Sequence, residues 1–310
     1  MYTRFVCPDF HECKIENCLK ECRMKDQLEA GRCLSTRSLM ALAKQREWKG
    51  IPSTTQLLRG TREAYLTITQ DYSVDPQDLI FALFGTRVHA VLEENLPEGS
   101  SSEVRLYDDI SSGAYDFYQD GVLYDDKTYG SFAVAKTLGL KEELVPDGVY
   151  KSSRVGKYKK GDPKFKKIFT EGGVHKRFDL AVQLNDYRMK LEKHGLPVKQ
   201  MCCEIIVRDG GTYIAQSRGI LQRALLVVIN KISDCWISRY MKRKAELLEH
   251  ALSNGVLPPV CKPRERWYDH NTGRSGKCAK FCPVRYQCDF GRREMACAGI
   301  FSDKEELPDD

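Results

Sequence analysis

The chain reads as an α/β protein in which a mixed central sheet is flanked by helices. Three observations predict this. Helical and strand-like patterns follow one another in the order αα-βββ-α-ββ-α, which suits helices layered on a sheet. The 310 residues are 42% hydrophobic and 30% charged, enough for one large core with appendages. The thirteen cysteines crowd the two ends, five within the first 33 residues and five after residue 260. The expected organisation is therefore a cysteine-rich segment over 1–33, a core over 34–260, and a second cysteine-bearing segment with an acidic tail over 261–310.

Each element has its local reason. Ser35 is placed to cap a helix running to about residue 46, and Pro52-Ser53-Thr54 opens a second helix. The second helix carries an apolar stripe at Leu57, Leu58, Ala64, Tyr65 and Ile68. A third helix is expected over 78–95, with Ile80, Phe81, Phe84, Val88, Val91 and Leu92 on its buried face. Strands follow at 104–106, 114–118 and 122–128, the last two joined by the turn Gln119-Asp120-Gly121. A short helix over 132–138 leads into a basic loop, and a helix over 174–194 stops at Gly195 and Pro197. Strands at 203–207 and 212–215 join at Asp209-Gly210-Gly211, and a long helix over 219–252 ends at Asn254-Gly255. The sequence holds no internal repeat.

Composition excludes some classes of function. The longest uncharged apolar stretch, 224–229, is far too short to span a bilayer. The first residues have no apolar core of a secretory signal, so a cytoplasmic protein with no membrane association is expected. In that reducing setting an odd number of cysteines points to metal ligands rather than a disulfide framework. Cys202, Cys203 and Cys235, in apolar surroundings, read as small core residues. The net charge of +6 is concentrated over 151–167, which holds eight Lys or Arg against the single acid Asp162. Tyr158 and Phe165 interleave with them, a pattern that suits a nucleic-acid backbone or a solvated loop equally well.

Four motifs carry candidate chemistry. Gly85 and His89 are four residues apart and share a helix face. Asp116 closes Gly113-Ala114-Tyr115-Asp116 on one arm of the hairpin, and Asp125-Asp126-Lys127 lies on the other. Asp125 and Lys127 point to one side of their strand. Two carboxylates suit a hard cation such as Mg²⁺, with an ammonium to steady water and developing charge. Gln183 and Tyr187 share a face of the helix that follows the basic loop.

Taken in order, Gly-x-x-x-His, Gly-x-x-Asp, Asp-x-Lys and Gln-x-x-x-Tyr resemble the RecB-like branch of the PD-(D/E)XK nucleases, over about residues 53–288. That branch includes the RecB and AddB nuclease domains and CRISPR-associated exonucleases. The resemblance implies a restriction-endonuclease-like core and a DNA nuclease, an exonuclease by preference, dependent on Mg²⁺ or Mn²⁺. It implies that His89, Asp116 and Asp125 ligand the metal with the Asp126 carbonyl, that Lys127 is the catalytic lysine, and that Gln183 and Tyr187 support the site. Repair, recombination or phage- and CRISPR-type DNA processing follow as settings, with a helicase or recombination partner, since the chain has no helicase P-loop. A binding protein on an inactive nuclease fold is the alternative, to which intact Asp116, Asp125 and Lys127 are unnecessary.

The resemblance also implies a 4Fe-4S cluster on Cys278, Cys282 and Cys288 with one distant cysteine, and zinc is the competing metal. In the related nucleases that cysteine stands near the Thr-Arg of the first core helix, where this chain has Gly60. Cys33 is the expected fourth ligand and Cys297 the local alternative. Cys7, His11, Cys13, Cys18 and Cys22 then remain for a small zinc knuckle or a share in the cluster.

Overall fold

The computed structural model of the chain describes residues 1–173 and 177–300. The expected helix start at Val174 and the acidic tail lie outside the described residues. The chain opens with β1 (Tyr2–Val6), β2 (Glu12–Lys14) and α1 (Ile15–Lys20), then α2 (Thr36–Leu42), α3 (Thr54–Leu58), α4 (Thr61–Thr69), β3 (Tyr72–Val74) and α5 (Pro76–Glu93). Short strands β4 (Ser101–Ser102), β5 (Arg105–Tyr107), β6 (Ser112–Ala114) and β7 (Phe117–Gln119) lead to β8 (Val122–Tyr129) and α6 (Ser131–Leu138). Next come β9 (Lys141–Val149), β10 (Pro163–Thr170), α7 (Phe178–Lys193), β11 (Gln200–Val207), α8 (Tyr213–Ser217) and β12 (Ala224–Ile229). The last elements are α9 (Asp234–Asn254), β13 (Tyr268–Asp269), β14 (Arg274–Ser275), α10 (Gly276–Lys280) and α11 (Asp289–Cys297).

Local chemistry explains many of these boundaries. The Ser35 side chain accepts from the Ser38 N–H and caps α2. Ser53 and Gln56 form a reciprocal capping box at the start of α3. Asp120 and Gly121, both at positive φ, make the two-residue connection between β7 and β8. Gly195, also at positive φ, follows the end of α7.

Several expectations fail for identifiable reasons. The second helix is broken at Gly60, which caps α4. Phe81, Phe84 and Val91 of α5 are exposed, not buried. Residues 212–215 form a helix, because the Thr212 hydroxyl accepts from the Ala215 N–H as an N-cap. The expected helix over 219–252 is two elements. Its apolar run Ala-Leu-Leu-Val-Val-Ile becomes β12, paired antiparallel with β11, and only α9 is helical. A short apolar run fits strand or helix equally by periodicity, and the partner decides. The basic run is no simple loop: β9 and β10 pair antiparallel, and the run covers their connection and most of β10. Cys202 and Cys203 are buried as expected, whereas Cys235 is exposed on α9.

The chain forms two compact units. The first comprises Met1–Val91, Arg105–Gly113 and the chain from Asp234. Within it β1 lies between β2 and β3. α3 and α4 pack on α9, which buries Ile237, Met241, Leu248 and Ala251. Both ends of the chain meet here: the Ser73 N–H donates to Gln287, and Arg62 pairs with Asp289. Val6 shares an apolar cluster with Tyr286 and Met295.

The second unit comprises Leu92–Val104 and Ala114–Ser233. Its five-stranded sheet has the order β12-β11-β8-β7-β4, with β8 parallel to β11 and the other pairs antiparallel. The parallel pair requires a long crossover, and α6, the β9–β10 hairpin and α7 supply it. α6 and α7 pack on β8 and β11, burying Val134, Leu180, Leu184 and Leu191. No helix among the described residues is long and apolar enough to cross a membrane. The fold class is α/β, with a mixed sheet flanked by helices.

Candidate active site and cysteine centres

β8 is the second unit's central strand and carries the densest polar cluster of that unit. Asp125 and Lys127, two residues apart, lie on one side of it. The Lys127 Nζ stands 2.6 Å from Asp125 Oδ2 and 3.7 Å from Asp116 Oδ2. Asp116 sits in the bend between β6 and β7 rather than within a strand, and the Asp126 N–H donates to its Oδ2 at 2.7 Å. A carboxylate oxygen of Asp126 also lies within 4.8 Å of one from Asp116. Two carboxylates therefore flank one ammonium, and a third stands beside Asp116.

α7 completes the cluster from the layer above. The Gln183 Nε2 donates to Asp125 Oδ1 at 3.0 Å and reaches the Tyr187 hydroxyl at 3.4 Å. The expected i, i+4 pair thus does meet Asp125. Asp125 is fully buried, and its Oδ2 has no hydrogen bond, facing only the Lys127 ammonium. A buried carboxylate oxygen in this state has lone pairs free for a cation. Burial alone would depress the Lys127 pKa, but Asp125 and then Asp116 outweigh it and hold the group above the ordinary lysine value. Lys127 is therefore a fixed positive charge at neutral pH, not a base. Burial, then Asp125 and Asp116, push the Tyr187 hydroxyl up, so it stays neutral while it accepts from Gln183.

The Asp126 carbonyl accepts from Lys127 Nζ at 3.3 Å, and it is its carboxylate that approaches Asp116. His89 lies on α5, in the first unit. Cys203 pairs in register with Asp125 and is buried beside it.

The cysteines form two groups, both in the first unit. In the C-terminal group Cys278 lies on α10, Cys282 just beyond it, and Cys288 at the N-cap of α11. Burial, then the neighbouring Cys261 and Cys288, push the Cys278 thiol up to about 12. Cys261 thus stands beside this group, while Cys33 lies with the N-terminal cysteines and Cys297 is exposed on α11. The reason is visible at Gly60. A Cβ at that position would lie 2.3 Å from the Cys261 sulfur, so Cys261 fills the space that a side chain at 60 would need. The missed signal was modest: Cys261 follows Pro258-Pro259 and is the first cysteine after α9.

In the N-terminal group Cys7, Cys13, Cys18, Cys22 and Cys33 line one small cavity, and His11 does not. Burial, then Cys13, push the Cys7 thiol up to about 11, and burial, then Cys13 and Cys33, do the same to Cys18. Buried thiols of this kind become ligands only when a metal takes the proton's place.

No protein-family model and no curated protein matches the chain. Among solved structures it aligns with SSO0001 at a TM-score of 0.41 and 15% identity, over 82% of this chain and 92% of that one. It also aligns with a phage-related exonuclease from Haemophilus somnus 129PT at a TM-score of 0.31 and 10% identity, over 78% of this chain and 93% of that one.

Proposed function

We propose that the chain is a divalent-metal-dependent deoxyribonuclease that hydrolyses phosphodiester bonds at the Asp116–Asp125–Lys127 cluster. The observation that carries this reading is the convergence of Asp116 and Asp125 on the Lys127 ammonium, with the Asp126 carboxylate beside Asp116 and Gln183 bound to Asp125. The donor set fits a hard cation: it offers carboxylate oxygens, one of them buried and without a hydrogen bond. Asp116 and Asp125 would hold Mg²⁺ or Mn²⁺, with Asp126 able to add its carboxylate. When bound, the ion supplies a Lewis acid for the phosphoryl oxygen and lowers the pKa of a water. Lys127, permanently charged, stabilises the charge that develops on the phosphoryl oxygens. Gln183 fixes the Asp125 carboxylate in one orientation, and Tyr187 orients Gln183.

The same reading gives the C-terminal cysteines a 4Fe-4S cluster, now with Cys261 beside Cys278, Cys282 and Cys288. Four thiols on one short segment and its preceding turn fit a thiophilic metal. DNA is the substrate and the polymer that the basic hairpin would hold. The test is degradation of end-labelled single- and double-stranded DNA in Mg²⁺ or Mn²⁺, with Asp125→Ala as control. Degradation that persists in Asp125→Ala, or none in the native chain with either metal, would sink the reading. Anaerobic purification with iron and sulfide analysis tests the cluster separately.

A further inference from the structure

We propose that the N-terminal cysteine group holds a thiolate-ligated metal centre of its own, on four of its five thiols, separate from the C-terminal one. Its ligand is a thiophilic metal, either iron in a sulfide cluster or zinc. The sulfurs come from different local structures that converge. Cys7 follows β1, Cys13 lies in β2, Cys18 lies in α1, Cys22 follows it, and Cys33 precedes α2. All five line one cavity. Chance rarely brings five cysteines from five places to one cavity, and all five are free thiols rather than disulfides.

The segment itself needs such a centre. Residues 21–35 contain neither helix nor strand. A stretch this irregular buries little apolar surface and must be held by something else. The Arg32 guanidinium donates to the Cys18 carbonyl at 2.6 Å, which ties the Cys33 end of the loop to α1. Arg23 pairs with Asp9, closing the loop over the β1–β2 turn. Arg23 and Arg32 both line the cavity, where they offset the negative charge of several thiolates. Met24, Leu28 and Leu39 also line it and keep water off the sulfurs.

The test uses the full chain purified anaerobically. Iron, acid-labile sulfide and zinc are measured per chain, with the visible and EPR spectra, for the native protein, Cys18→Ser/Cys22→Ser and Cys278→Ser/Cys282→Ser. The native chain is expected to hold two centres, and each double variant to lose one and keep the other. Iron and sulfide lost from the N-terminal variant identify a cluster there; zinc lost instead identifies zinc. Unchanged metal content and spectra in Cys18→Ser/Cys22→Ser overturn the proposal. If Cys278→Ser/Cys282→Ser instead keeps all its metal, the C-terminal centre fails and the N-terminal one stands. Should a variant be insoluble, the native chain answers alone. Its cysteines are alkylated before and after chelation and mapped by mass spectrometry. Four of Cys7, Cys13, Cys18, Cys22 and Cys33 should label at least tenfold faster once metal is removed, and equal rates overturn the proposal.

Discussion

At the scale of single residues, the chemistry depends on which carboxylates share the Lys127 ammonium. Asp116→Ala, Asp125→Ala and Lys127→Ala should each lower the cleavage rate by about 10²-fold or more, as removal of one group that stabilises transition-state charge does. DNA binding should largely survive, because none of these groups is part of the basic hairpin. A single-turnover assay beside a binding titration checks this, and full activity in any one variant would reject the assignment. Gln183→Leu leaves Asp125 Oδ1 without its donor. It should lower kcat with little change in KM, and a change confined to KM would place Gln183 in substrate binding instead. The sequence resemblance adds His89 as a ligand, so His89→Ala should be partly rescued by Mn²⁺. Equal loss in both metals would remove it from the ligand set.

At the scale of elements, two features make separate predictions. Gly60 lies in the break between α3 and α4, with the Cys261 sulfur where its Cβ would be. Gly60→Ala should push that sulfur aside, cost about 1–3 kcal/mol as overpacking does, and lose the C-terminal metal. A melt and a metal analysis read both effects, and a variant with native stability and metal would contradict the crowding. The β9–β10 hairpin is the second feature. Lys164 pairs with Asp147 and Lys167 with Glu142, while among the described residues Lys157, Lys159 and Lys160 have no acidic partner. Tyr158 stacks on Tyr150 at 3.7 Å, so that ring stiffens the hairpin tip instead of waiting for a base. Replacing Lys157, Lys159 and Lys160 with alanine should flatten the salt dependence of DNA binding by a slope of roughly 2–3, about one unit per lost phosphate contact. An unchanged slope would make the hairpin a solvated arm.

At the scale of the whole molecule, stability is unevenly held. The first unit holds both cysteine groups, and ties such as Arg62 to Asp289 and Lys277 to Glu63 join its N- and C-terminal segments. The second unit rests on a five-stranded sheet with buried β8 and β11. Metal binding that closes long spans of chain contributes folding free energy where it acts. Chelation should therefore strip amide protection from residues 1–33 and 261–297 while β8 and β11 keep theirs. Hydrogen exchange read by mass spectrometry decides it, and uniform loss across both units would mean that the metals do not stabilise the first unit selectively.

What the sequence determined by itself was local or ordered along the chain. Ser35 and Ser53 announced their caps, Asp120-Gly121 its tight turn, and Asp125-x-Lys127 its shared strand face, because each depends on neighbours a few residues away. The alternation of helix and strand sufficed for the α/β class. Only the tertiary structure decided that Ala-Leu-Leu-Val-Val-Ile is a strand, since its identity rests on hydrogen bonds to β11 rather than on its own pattern. Only the tertiary structure divided the cysteines, drawing Cys33 to the N-terminal cavity and Cys261 to Gly60. Thiols carry no periodicity and no propensity that names their partners. Their grouping is a property of where the backbone brings them, and a missing Cβ two hundred residues away can decide it.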